Sequence, residues 1–267
     1  MLEFRRNFNN HIKTRELFHN KKILTVIFPS AGTNIADFMN FINEIKVHSD
    51  IIFVVEGYYG LPITNLSGIG YEPLQFAKQF NKSYAKIFNR YKGILLCAQS
   101  IGTISALEFR KIYHGTNLKT IFLSPTLSEK NNRSYRLTAL YLQILLKTIP
   151  GRFTLNLLRA YPTKIVIKYL LRKFLTDLYK PITAAGINSY FNCLYFITQF
   201  GLTEKQNIHD EDIFIIGDKD TYLNSYCNQD DLKKRKHTYI INGGHSLLQN
   251  NFKEVISLIQ SCQFLKL

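Results

Sequence analysis

Four residues in this 267-residue chain have the types that nucleophilic acyl chemistry requires: Ser100 as a nucleophile, His245 as a base, and Asp218 or Asp220 as an acid. A serine hydroxyl becomes an effective nucleophile only when a base removes its proton, and that base needs an acid to orient it. Ser100 lies in Ala98-Gln-Ser-Ile-Gly102, after an apolar run and before an amphipathic segment. This pattern predicts a sharp strand-to-helix turn with the serine at its apex, a nucleophile elbow.

The elbow requires small residues two positions before and two positions after the serine, because the strand and helix backbones nearly touch there. Gly102 meets this requirement, whereas Ala98 stands where glycine is usual. The turn would also place the backbone N–H of Ile101 at the start of the helix, where it could stabilise an oxyanion. The competing interpretation is that Ser100 is an ordinary N-cap serine, since serine is favoured at that position.

The candidate acid and base each follow an apolar segment of strand length. Asp218 and Asp220 come directly after the run at 213–216, and from the residues alone either carboxylate could reach across the end of a sheet. His245 lies in Asn242-Gly-Gly-His-Ser246, between the last apolar run and the last amphipathic segment. The glycines would let this loop bend so that the imidazole points back over the sheet. The order Ser, Asp, His therefore favours the nucleophile interpretation of Ser100.

Apolar runs alternate with amphipathic segments along most of the chain, which predicts a mostly parallel sheet covered by helices on both faces. An N-terminal β-hairpin is predicted from two short segments joined by Asn9-Asn10, because asparagine tolerates a positive φ. The hairpin segments are 1–8 and 11–18, the strand-length runs are 23–28, 51–55, 94–98, 120–124, 213–216 and 238–241, and the helical segments are 35–47, 73–90, 101–113 and 247–260.

The alternation is interrupted by a segment at about 126–207 that has helical periodicity and little strand character. We predict a single domain, with its core at 1–125 and 208–267 and with this segment inserted as a helical lid over the strand ends. The segment holds twelve lysines and arginines against three acidic residues. Basic positions about four apart within 164–173 indicate a basic stripe beside an apolar one.

The whole chain carries a formal net charge of +15, which favours an anionic partner such as a membrane surface or an acidic carrier protein, or else reflects lysine-rich composition. No nucleic-acid-binding motif is present, so nucleic acid is not an expected partner. The four cysteines have no metal-ligand or disulfide spacing. No signal peptide or transmembrane run is predicted, and the expected location is the cytoplasm, with possible contact at the inner face of the membrane.

These motifs resemble the α/β-hydrolase superfamily over nearly the whole chain. The elbow at Ser100, the acid turn Gly217-Asp-Lys-Asp220 and the histidine loop Gly244-His-Ser246 are each similar to that family's pattern. In the family the catalytic carboxylate usually stands three residues after the glycine of the acid turn, so the resemblance selects Asp220 over Asp218. Glu56-Gly-Tyr-Tyr-Gly60 is similar to a further turn of the family.

The family's usual His-Gly oxyanion motif is absent, and Phe28-Pro-Ser-Ala-Gly-Thr33 stands in its place. This segment resembles the F-P-x-A-G run of type II thioesterases. By that resemblance Ala31 and Ile101 donate the two oxyanion hydrogen bonds, with Ser30 as the alternative donor to Ala31. Tyr58 and Tyr59 are candidates for lining an acyl pocket, although scattered aromatic residues more often serve packing.

The sequence therefore predicts a serine hydrolase that cleaves an ester or thioester of a hydrophobic acyl group through an acyl-enzyme. The substrate would be a small molecule or a carrier-linked acyl group, and the chemistry needs neither a metal nor an organic cofactor. Two alternatives stay open at this point. The same residues would serve an acyltransferase with an alcohol or sugar acceptor, and the fold could also belong to a non-catalytic binding protein.

Overall fold

A computed structural model describes residues 5–8, 13–30, 33, 35–55, 73–125, 208–220 and 232–262 of the chain. These residues lie in one compact unit, formed by Met1–Gly57, Glu72–Asn131 and Phe200–Leu267. The predicted lid at 126–207 lies outside the described residues, as does the turn at 56–60, so the division into core and lid stays a prediction. None of the described helices is long and apolar enough to cross a membrane.

The described residues form one eight-stranded sheet. Its strands are β1 (Arg5–Phe8), β2 (Lys13–Leu17), β3 (Ile23–Phe28), β4 (Asp50–Val55), β5 (Gly93–Gln99), β6 (Leu118–Leu123), β7 (Ile213–Gly217) and β8 (Thr238–Ile241). The described helices are α1 (Met39–Ile45, preceded by a 3₁₀ turn at Ile35–Phe38), α2 (Pro73–Phe88), α3 (Gly102–Ile112), α4 (Leu247–Asn250) and α5 (Phe252–Ser261).

The strand order is β1-β2-β4-β3-β5-β6-β7-β8, and the six strands β4, β3, β5, β6, β7 and β8 pair parallel with one another in that order. The hairpin strands β1 and β2 pair antiparallel with each other, and β2 pairs antiparallel with β4. The mostly parallel sheet and the N-terminal hairpin predicted from the sequence are confirmed. Because β3 to β8 run in one direction, the loops that follow β3, β5, β6, β7 and β8 all leave the sheet at the same edge.

One face of the sheet is covered by α1, α4 and α5. Side chains of these helices form one buried cluster with alternate residues of the strands, such as Ile27, Leu95 and Ile121. The strands alternate in this way because successive side chains of a strand point to opposite faces. The cluster includes Phe41 of α1 and Val255 of α5, so the first and last described helices share one core.

The opposite face is covered by α2 and α3, through a cluster of aromatic rings. Phe28 at the end of β3 lies edge-on to Phe80 of α2, with ring centroids 5.8 Å apart, and Phe80 meets Phe109 of α3 at 5.4 Å. Edge-to-face contacts of this kind are favourable beyond the burial of the rings alone. Helices therefore cover both faces, as the alternating pattern predicts.

The sequence predicts one continuous helix over 247–260, and the structure differs from this prediction. The chain forms two helices instead, α4 and α5, with Asn251 between them at φ −118° and ψ 25°. The Asn251 side chain donates a hydrogen bond to the carbonyl oxygen of Asn242, 3.0 Å away. Asparagine competes for backbone groups in this way and favours helix ends, which accounts for the break.

Candidate active site

The chain reverses from β5 into α3 through Ser100, which has a φ of 54°. A positive φ is uncommon for a residue other than glycine and is found at functional sites where the surrounding structure enforces it. Two backbone hydrogen bonds hold the turn. The Ser100 N–H donates to the Leu123 carbonyl oxygen at 2.9 Å, and the Thr103 N–H donates to the Ser100 carbonyl oxygen at 3.0 Å. This is the geometry of a nucleophile elbow.

The hydrogen-bond ladder of the sheet continues one residue beyond three neighbouring strands. Besides Ser100, the N–H of Ser124 after β6 donates to the Ile215 carbonyl oxygen, and the N–H of Asp218 after β7 donates to the Ile241 carbonyl oxygen, each at 2.9 Å. The elbow and the acid turn are therefore direct extensions of the sheet.

Close packing explains the small residues around the serine. A Cβ built at Gly102 would overlap the carbonyl oxygen of Phe28 in β3, so no side chain fits there without a backbone shift. Ala98, which pairs with Phe28 in the parallel register, is fully buried. The elbow thus accommodates the methyl group of Ala98 at its first small position, whereas its second small position requires the glycine at Gly102.

We expect Gly102→Ala to destabilise the protein by about 1–3 kcal/mol, the usual cost of overpacking a filled site. The displaced elbow should also lower the rate of any reaction at Ser100. Urea denaturation checks the first effect and labelling by a serine-reactive probe checks the second. Gly115→Ala is the control, because Gly115 is exposed and the atoms nearest to a Cβ there belong to the Tyr113 side chain rather than to the backbone. Equal stability of the two variants would contradict the packing argument.

The structure brings Ser100, His245 and Asp220 together in one hydrogen-bonded chain, although 145 residues separate the first two. His245 Nε2 lies 2.7 Å from Ser100 Oγ, and His245 Nδ1 lies 2.8 Å from Asp220 Oδ2. The Asp220 side chain is completely buried, whereas the His245 side chain is 18% exposed. A buried acid, a partly accessible base and a serine thus stand in the order needed for proton transfer from the hydroxyl.

The two aspartates of the acid turn have different partners. Asp220 accepts from the imidazole, whereas Asp218 Oδ1 accepts from the backbone N–H of Gly243 at 3.0 Å. Asp218 therefore holds the histidine loop and Asp220 contacts the histidine itself. The contact between the turn and the loop is close, because a Cβ built at Gly217 would overlap the carbonyl oxygens of Gly243 and Gly244.

Of the three oxyanion donors predicted from the sequence, the structure describes Ile101 and Ser30. Ile101 directly precedes α3, where the first N–H groups of a helix have no partner within the helix. Ser30 is buried after β3, and its carbonyl oxygen accepts from the Thr33 hydroxyl at 2.7 Å. Ala31, Tyr58 and Tyr59 lie outside the described residues, so their roles stay predictions.

One residue of the site was not singled out from the sequence. Gln99, directly before Ser100, is completely buried, and its side-chain amide contacts the His245 carbonyl oxygen and residues of α4. A polar residue within the apolar run of a central strand is the signal that could have identified it, since buried amides need hydrogen-bond partners.

Within the described ranges, no three His, Cys, Asp or Glu side chains gather as metal ligands would. Cys97 and Cys262 are free thiols, and burial raises the pKa of the Cys97 thiol. Cys97 is therefore a neutral packing residue of β5.

Comparison with solved structures places this architecture in a class. The chain is similar to a candidate lipase from Acinetobacter baumannii AYE (TM-score 0.65, 14% identity, covering 98% of this chain and 92% of the other). It is also similar to carboxylesterases from Nitrososphaera gargenis (TM-score 0.61, 13% identity, covering 97% of each chain). A thioesterase domain from the curacin biosynthetic pathway matches at a TM-score of 0.60 and 15% identity, covering 97% of this chain and 99% of the domain.

No protein-family model and no curated protein sequence matches the chain. The structural likeness nevertheless extends over nearly the whole length of the chain. The chain therefore has the α/β-hydrolase fold, and the resemblance noted from its motifs is confirmed at the level of the fold.

Proposed function

We propose that this protein is a serine hydrolase that cleaves an ester or a thioester through an acyl-enzyme. The observation that carries the proposal is the unbroken chain of hydrogen bonds from Ser100 Oγ through His245 to Asp220. The positive φ of Ser100 supports it, because this conformation raises the hydroxyl above the edge of the sheet. The solved structures of similar fold support the reaction class, since they include carboxylesterases and a thioesterase domain.

In the first half of the proposed reaction, Ser100 Oγ attacks the acyl carbonyl carbon while its proton passes to His245 Nε2. The carbonyl oxygen becomes an oxyanion, which the N–H groups of Ile101 and Ala31 would stabilise, with Ser30 as the alternative to Ala31. The tetrahedral intermediate then breaks its bond to the leaving oxygen or sulfur. That atom takes the proton from His245 and departs as an alcohol or a thiol.

In the second half, water takes the place of the leaving group. His245 removes a proton from the water as the water oxygen attacks the acyl-enzyme carbonyl. Collapse of this second intermediate breaks the bond to Ser100 Oγ, which recovers its proton from His245, and a carboxylic acid is released. Asp220 accepts the Nδ1–H throughout, so it fixes the orientation of the ring and stabilises the imidazolium when it forms.

The proposed substrate has a hydrophobic acyl group, and a membrane surface or an acidic carrier protein would present it. This part of the proposal rests on the composition of 126–207, which combines apolar residues with a basic surplus, and on the basic positions about four apart within 164–173. Tyr58 and Tyr59 would contribute to the acyl pocket.

A fluorophosphonate probe tests the reaction class, because it reacts with a serine only when a base and an oxyanion site activate it. We expect one adduct per folded molecule, located on Ser100 by peptide mass spectrometry, and none on heat-denatured protein. The labelled enzyme should also lose hydrolysis of p-nitrophenyl esters. Folded protein that stays unlabelled, or an adduct on another residue, would contradict the proposal.

A further inference from the structure

The completely buried side chain of Gln99 joins the three segments that carry the proposed chemistry, which are the elbow, the segment after β3 and the histidine loop. Gln99 ends β5 directly before Ser100, and its amide contacts Ser30 after β3, the histidine loop at His245, and α4. We propose that Gln99 is a positioning residue, which fixes the backbone of His245 so that the imidazole stays within reach of Ser100. This inference rests on the proposed function.

The orientation of the amide is determined by two backbone groups of opposite type. Gln99 Oε1 accepts from the Leu248 N–H at 3.3 Å, and Gln99 Nε2 donates to the His245 carbonyl oxygen at 3.4 Å. A backbone N–H can only donate and a carbonyl oxygen can only accept, so an amide turned by 180° would lose both bonds. The side chain therefore has one hydrogen-bonded arrangement in this site.

The Nε2 group also contacts two side chains outside the histidine loop. It donates to Gln249 Oε1 of α4 at 3.0 Å and lies 3.4 Å from Ser30 Oγ. The two hydrogens of Nε2 are thus shared among three acceptors. The shortest of these contacts, to Gln249 Oε1, anchors the amide to α4. The contact with Ser30 ties the same amide to the segment predicted to supply an oxyanion donor.

The histidine loop needs such a restraint because glycines precede the histidine. A Cβ built at Gly244 would meet nothing within 4 Å, so the loop has no packing contact on that side. Asp220 holds the ring at Nδ1 and Asp218 holds the N–H of Gly243. Gln99 holds the carbonyl oxygen of His245 from inside the protein, which leaves the residue fixed at its ring and on its backbone.

Gln99→Met tests this role, since methionine keeps the approximate length and removes every hydrogen bond. We expect kcat for ester hydrolysis to fall about 10- to 100-fold, because small displacements of a catalytic group have effects of that size. KM should change less than about threefold, because the substitution does not touch the substrate. The rate of probe labelling should fall in parallel with kcat, and the downfield proton signal of His245 Nδ1–H should weaken.

Cys97→Ala is the matched control. Cys97 lies two residues earlier in β5, on the same face and equally buried, and it has no part in the amide contacts. We expect it to lower the thermal midpoint while kcat stays near that of the wild type. If Gln99→Met does not fold, Gln249→Leu removes the shortest contact alone and should lower kcat in the same direction by a smaller factor.

The outcomes separate this inference from the proposed function. If the wild type is labelled and active, either of two results would show that Gln99 has no positioning role. One is an unchanged kcat in Gln99→Met, and the other is a fall in kcat in Cys97→Ala as large as that in Gln99→Met at the same loss of stability. If the wild type is neither labelled nor active, the proposed function itself fails.

Discussion

Changing Ser100 to alanine is expected to lower kcat/KM for ester hydrolysis by roughly 10⁴- to 10⁶-fold, the range found when a serine nucleophile is removed from a complete triad. The reason is that Ser100 Oγ lies 2.7 Å from His245 Nε2, and no atom of alanine can accept the acyl group. The same variant should show no adduct with a fluorophosphonate probe. Steady-state kinetics with p-nitrophenyl esters and mass spectrometry measure both effects.

Ser105→Ala is the appropriate control for this experiment. Ser105 is also a buried serine, in the second turn of α3, and so it reports the effect of losing a hydroxyl close to the elbow without removing the nucleophile. We expect it to retain activity and labelling. Residual hydrolysis by Ser100→Ala at the wild-type level would show that another group performs the attack.

Asp220→Asn is expected to lower kcat by about 10⁴-fold, because an amide can reverse the polarity of the hydrogen bond to the histidine. If the asparagine NH₂ donates to His245 Nδ1, the ring proton must be on Nε2, and Nε2 then cannot take the proton of Ser100. The Asp220 side chain is completely buried, so water cannot substitute for the lost acceptor. Initial rates measured over a range of substrate concentrations give kcat, and their repetition across pH checks this effect.

Asp218→Asn is the matched control, two residues away in the same turn. Its amide oxygen can still accept from the Gly243 N–H, so the histidine loop should keep its position. We expect activity near that of the wild type. The reverse result, with Asp218→Asn inactive and Asp220→Asn active, would assign the acid to Asp218.

The fold could be predicted from the sequence because two local signals agreed. Continuous apolar runs predicted buried parallel strands, and amphipathic segments between them predicted helices on both faces. The elbow could also be predicted because its pattern, Ala98-Gln-Ser-Ile-Gly102, is contiguous in the sequence. The break at Asn251 was missed because helical periodicity continues on both sides of it.

The remaining features of the site depend on contacts between distant segments. From the residues alone, Asp218 and Asp220 were equivalent, and only the folded turn shows that one binds the Gly243 N–H and the other the imidazole. Gln99 was overlooked for the same reason, since its partners around His245 lie about 150 residues further along the chain. Neither sequence spacing nor hydrophobic periodicity reports such contacts.

The ladder bonds that continue past β5, β6 and β7 have a mechanical consequence. The unfavourable φ of Ser100 is maintained in part by its hydrogen bond to the Leu123 carbonyl oxygen of β6, so relaxation of the elbow would break a bond between two central strands. The separation of central strands belongs to the global unfolding of a domain rather than to its local fluctuations. Ser100, the proposed nucleophile, is thus held as firmly as the sheet from which it extends.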